Sequence, residues 1–123
     1  FSGILIHICA GNLYLWGNVS NYVVSYFHFV KKDPEATLAI TVIVIPLSFI
    51  WQGLANPIGA YLQKRLNPKF IILLGYSFMG ISVLAASFMN TWWSFMGFYS
   101  TGFPVGIGLT YYTPIMCGWE WFP

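Results

Sequence analysis

The stretch Gly102-Phe103-Pro104-Val105-Gly106-Ile107-Gly108-Leu109-Thr110-Tyr111-Tyr112-Thr113-Pro114 admits two readings that lead to different folds. Its glycines at 102, 106 and 108 are the material of a phosphate-cradling loop. They are equally the flat side of a helix against which another helix lies. A dinucleotide loop needs a strand before it and a helix opening after it. Here the glycines sit in the middle of a long apolar run. Gly102 and Gly106 form a G-x-x-x-G, a spacing that lets two helix backbones approach closely in a membrane. Pro104 and Pro114 add kinks, tolerable where neighbours satisfy the freed carbonyls. Gly102, Gly106 and Gly108 are therefore read as helix-packing positions.

Composition places that helix in lipid. The chain has 123 residues, 58% of them hydrophobic and only 7% charged. A soluble domain carries about 25% charged residues to face water. The charges are also clustered: Lys31, Lys32, Asp33 and Glu35; then Lys64, Arg65 and Lys69; then Glu120 alone. Between them lie the charge-free runs 1–30, 36–63 and 70–119. A helix needs about 20 apolar residues to cross a bilayer core. The first two runs hold one span each, and the third holds two with a turn at Asn90-Thr91-Trp92-Trp93. The pattern predicts an all-α membrane protein with four spans, near 4–29, 37–63, 70–89 and 93–117. Alternating strands of about ten residues, the mark of a membrane barrel, are not seen.

The loop at 64–69 holds three basic residues and no acid, against two of each at 31–35. Basic loops stay inside, so the 64–69 loop and the N-terminus are expected to be cytoplasmic. The net charge of +2 is a topology signal and points to no nucleic acid. Cys9 and Cys117 fall inside spans, where a structural disulfide is not expected. Residue 1 is Phe, and Trp121-Phe122-Pro123 stops just beyond a span. A fragment at both ends is the expectation from those two features.

Polar residues inside a span face protein or a water-filled path. In the first span His7, Gly11, Tyr14, Asn18, Asn21, Tyr22 and Ser25 share one helical face. In the second, Thr41, Ser48, Gln52, Asn56, Gly59 and Gln63 do so, and in the fourth Trp93, Gly97, Ser100, Pro104, Gly108, Tyr111 and Ile115. The third has only small residues such as Gly75, Gly80 and Ser82, and is expected to be peripheral. Tyr14, Asn18, Gln52, Asn56 and Tyr111 are the candidates for a substrate path. The competing reading is that these groups only join helices, since such bonds are weak in membranes. His7 is expected near the interface.

The loop after Gly59, Gln63-Lys64-Arg65-Leu66-Asn67-Pro68-Lys69, resembles the signature between helices two and three of the major facilitator superfamily. That signature runs roughly Gly-x-x-x-Asp-Arg-x-Gly-Arg/Pro-Lys/Arg. Gly11-Asn12-Leu13-Tyr14-Leu15-Trp16-Gly17, the glycine-rich fourth span and the closing Trp-Phe-Pro add to the likeness. Together they resemble its oxalate/formate antiporter and monocarboxylate transporter branch. The matching loop positions are Gly59, Lys64, Arg65, Asn67, Pro68 and Lys69. Lys64 stands where the family has Asp. Asn67 stands where it has Gly, a replacement that keeps a left-handed backbone accessible.

The resemblance implies part of the N-terminal half of a twelve-helix fold, in which helix three is peripheral. It implies a secondary transporter of small carboxylates, working by alternating access in the bilayer with the remainder of its own chain. The alternative is a complete small four-helix membrane protein with an assembly or scaffolding role. An enzyme is not expected, because hydrolytic and metal chemistry want clustered His, Cys, Asp or Glu. No catalytic residue, metal or cofactor is implied.

Overall fold

The computed structural model describes residues 2–122, and among them every regular element is helical. Four helical rods follow one another. The first joins α1 (Ser2–Ala10), a 3-10 segment (Gly11–Leu15), α2 (Trp16–Ser25) and a π-helical end (Tyr26–Val30). The second joins α3 (Leu38–Thr41) to α4 (Val44–Gln63), the third is α5 (Pro68–Ser87), and the fourth joins α6 (Trp92–Thr110) to α7 (Thr113–Trp121). The expected all-α class with four helical rods is what the chain adopts.

The breaks have local causes. A proline lacks the N–H for the carbonyl four residues back and its ring crowds that carbonyl. Pro46 acts on Val42, where α3 stops and a turn precedes α4. Pro114 acts on Thr110, where α6 stops. Pro68 opens α5 at its first position, where no N–H is needed. Asn67, expected in a left-handed turn, is instead extended at φ −62°, ψ 137°, because a residue before proline is pushed out of the helical region. The left-handed residue lies in the other loop: Lys32, at φ 53°.

Two rods, Leu38–Gln63 and Pro68–Ser87, are long and apolar enough to cross a membrane, each with mean hydropathy 2.0. The first rod is pieced together from short helices, and α6 is rich in Trp, Tyr, Ser and Gly. Large side chains such as Ile8, Leu54, Ile58, Leu73, Ile81 and Leu84 are exposed around the bundle. A soluble surface does not expose contiguous apolar area on that scale.

The fourth rod is the centre. α6 lies between α4 and α5, and Ser100, Gly102, Pro104, Gly106 and Gly108 are all buried in it. A methyl on Gly106 would stand 2.7 Å from the Gly75 carbonyl oxygen and 3.2 Å from the Met79 nitrogen. One on Gly108 would stand 2.8 Å from the Gln52 carbonyl oxygen, and one on Gly59 2.7 Å from that of Leu109. Gly102 and Gly106 thus face α5, and Gly108 faces α4. Gly75 and Ser82 seat α5 directly on α6, and the Tyr76 hydroxyl donates to the Ile6 carbonyl of the first rod at 2.9 Å. The lack of amides kept α5 out of a polar stripe, but small side chains suffice for close packing.

At the end carrying residues 31–35, an aromatic ladder joins rods one and four. Phe27 and Trp16 pack on Trp92, Phe95 and Tyr99, and the Trp16 indole N–H donates to the Thr41 carbonyl at 3.2 Å. Asp33 closes this end. Its carboxylate accepts the Trp92 backbone N–H at 2.8 Å and the Glu35 N–H at 3.0 Å, so a loop between rods one and two supplies the anion at the start of α6. Asp33→Ala is expected to lower stability by about 1 kcal/mol, the usual worth of such a cap. Thermal unfolding in detergent measures it, and an unchanged midpoint would remove Asp33 from this role.

Candidate functional site

Rods one, two and four meet at a cavity of about 170 Å³ lined by His7, Ala10, Gly11, Leu13, Tyr14, Gln52, Ile107 and Tyr111. Each polar wall residue has a local reason to be there. His7 and Tyr14 lie seven residues apart, two helical turns, so they share a face. The His7 Nδ1 sits 2.9 Å from the Gly3 carbonyl oxygen. A carbonyl only accepts, so Nδ1 carries the proton and Nε2 remains available. The rings of His7 and Tyr111 stand 5.8 Å apart, centre to centre. Tyr111 belongs to the turn that Pro114 imposes between α6 and α7. Tyr14 leans on Phe49 of α4, 6.2 Å between ring centres.

Gln52 comes from α4, one turn before Asn56. Its Oε1 is buried and has no partner among the described residues. An unpaired buried amide oxygen costs free energy, so an occupant that offers a donor is favoured. The volume matches about five waters at about 30 Å³ each, or one small metabolite, and falls below the range of drug-sized pockets. None of these eight wall residues is Lys, Arg, Asp or Glu.

The candidate path residues are thus divided. Tyr14, Gln52 and Tyr111 line the cavity. Asn18 does not: it is exposed on the outside of α2. Asn56 does not line it either. With its amide nitrogen facing them, Asn56 donates to the carbonyls of Gln52, at 3.2 Å, and Gly108, at 3.3 Å, which ties α4 to α6. His7, expected near the interface, is brought into the cavity wall. Its signal was present in the sequence, since it opens the polar face that contains Tyr14.

At the loop end Gln63 donates through Nε2 to the buried Thr113 hydroxyl, joining the ends of α4 and α7. The loop residues Lys64, Arg65, Asn67, Pro68 and Lys69 follow directly, all exposed. The Arg65 guanidinium lies over the Tyr61 ring at 5.3 Å.

Compared with known proteins, the chain is similar along its whole length to apicoplast pyruvate carrier 1 of Toxoplasma gondii, 28% identical over 156 aligned residues. The chain spans 28% of that relative's length. No family model and no solved structure matches the chain. These findings correct the resemblance read from the loop and the first and fourth rods. They give no support to the major facilitator superfamily or its oxalate/formate antiporter branch: the relative found bears the name of a pyruvate carrier, and a short glycine- and base-containing loop is too unspecific to carry a family alone. The described chain is all-helical, with two helices long and apolar enough to cross a membrane. Its exposed apolar rods and this match make it a membrane protein.

Proposed function

We propose that the chain works in a membrane carrier for a small monocarboxylate, with pyruvate as the first candidate. The observation that carries this is the match to a pyruvate carrier along the whole chain, together with a metabolite-sized polar cavity where three rods meet. A carboxylate only accepts hydrogen bonds. Tyr14, Tyr111 and the Gln52 Nε2 can all donate. The unpaired Gln52 oxygen is left over by a carboxylate, and a water travelling beside it would satisfy that oxygen. No full charge stands opposite the anion in this cavity, which favours weak, reversible holding over tight capture.

Saturable uptake of labelled pyruvate into liposomes carrying the full-length protein is the test. Unlabelled lactate should compete, while a long dicarboxylate should not fit. Absence of saturable uptake of any small monocarboxylate would sink the reading and favour the assembly role, which shares the architecture without transport.

The same reading sets the N-terminus and the 64–69 loop on the cytoplasmic side, from the excess of Lys64, Arg65 and Lys69. An Arg65→Cys variant should react with an impermeant maleimide only from that side, and Asn90→Cys only from the other. The reverse pattern would invert the topology.

A further inference from the structure

We infer that the cavity between the start of α5 and α7 is a binding site for an acidic phospholipid, headgroup at Lys69 and an acyl chain along α5. The cavity measures about 750 Å³ and is lined by Asn67, Pro68, Lys69, Phe70, Ile72, Leu73 and Cys117. It lies at the end of the bundle where the basic loop runs. The inference needs only that the chain sits in a bilayer, and stands whatever the inner cavity carries.

Its two parts call for two kinds of chemistry. One wall carries a cation, Lys69, beside the basic loop. Lys64, Arg65 and Lys69 fall within six positions with no acid among them. Lys69 also occupies the first turn of α5, where the helix dipole presents its positive end. Asn67, the residue before that turn, makes no side-chain cap. A cation on an uncapped helix start is repelled by it, and an anion seated there relieves both groups. The rest of the lining is apolar. Phe70 and Leu73, one turn apart, are 51% and 65% exposed, and Ile72 lies beside them. A soluble phosphate would meet the cation and leave this apolar wall bare. A neutral lipid would cover the wall and leave the cations unmatched. Basic pockets at helix ends on the membrane surface take acidic headgroups for this reason. Trp119 and Trp121, exposed at the end of α7, set the same level, since tryptophan collects where acyl chains meet headgroups.

Cys117 reports on occupancy because it is part of the wall, and the other free thiol, Cys9, lies on α1. The full-length protein with Cys9→Ser is placed in nanodiscs of phosphatidylcholine, with or without phosphatidylglycerol. N-ethylmaleimide alkylation is then followed on the Cys117 peptide by mass spectrometry. Phosphatidylglycerol should slow alkylation about fivefold, the ratio that one lysine near an anionic surface is worth. Lys69→Gln should lose that slowing, whereas Lys31→Gln, at the other end of the bundle, should keep it. Surface charge acting on the thiol at a distance would slow both variants alike, so persistence of the effect in Lys69→Gln overturns the inference. Equal rates in the two lipids overturn it, as does equal protection by millimolar inorganic phosphate in phosphatidylcholine discs.

Discussion

Gly106→Ala should destabilise the bundle by about 1–3 kcal/mol, the range for atoms forced into a filled interior, while Gly97→Ala on the same helix should cost nothing. The added methyl is the same and so is the helix. At Gly106 it would meet the Gly75 carbonyl oxygen at 2.7 Å and the Met79 Cβ at 2.9 Å. The first is backbone and cannot rotate away, so α5 itself must move. At Gly97 nothing lies within 4 Å, and alanine gains its better helix propensity, about 1 kcal/mol. Membrane helices have little hydrophobic drive to associate, so the close contact they lose is the attraction that holds them. Gly59→Ala tests the other face of α6, where the methyl would meet the Leu109 backbone at 2.7 Å and 2.9 Å. Thermal unfolding in detergent reads all three. If Gly106→Ala and Gly97→Ala unfold at the same temperature, the α5–α6 contact is not where the glycines put it.

Gln52→Leu and Tyr111→Phe should each raise the KM for pyruvate about tenfold or more, since a hydrogen bond to a charged group is worth about 1.5–3 kcal/mol. Gln52→Leu also removes the unpaired oxygen, so the empty protein should hold its stability or gain some. That combination, weaker substrate handling without a stability loss, separates a binding role from a packing role. Asn56→Leu should show the opposite pair. It cuts the bonds to the Gln52 and Gly108 carbonyls, so stability falls first and transport follows. Asn18→Leu, outside the cavity, should change neither. An undiminished uptake in both Gln52→Leu and Tyr111→Phe would move the path elsewhere in the protein.

The rods were legible in the sequence because charge punctuates them. Lys31 to Glu35 and Lys64 to Lys69 sit in the two loops, and Asn90-Thr91 precedes α6. Helical periodicity also grouped Tyr14, Gln52 and Tyr111, which the structure brings to one cavity wall. It failed for Asn18, which stands exposed outside the cavity wall. It failed for Asn56 because an amide can serve the neighbouring backbone as well as a cavity, and spacing does not say which. Polarity finds helices that line water, whereas α5 is held by Gly75 and Ser82, which carry size and little polarity. Asn67 was misread by attention to its own preference, when Pro68 decides its backbone. The family likeness rested on a short basic loop and on short strings in the first and fourth rods, which together are too unspecific to carry a family.

The winding of Gly11–Leu15 has a mechanical meaning. A 3-10 helix rises about 2.0 Å per residue and turns about 120°, where an α-helix rises about 1.5 Å and turns about 100°. Rewinding these five residues would shorten the first rod by about 2.5 Å and screw one end against the other by about 100°. Tyr14 rides inside the segment and His7 just beyond it. The rod is therefore a two-pitch thread with the cavity's aromatic ring mounted on its coarse section. A change of pitch would turn that ring toward or away from Gln52 while Trp16, anchored to Thr41, stays in place as the fixed nut.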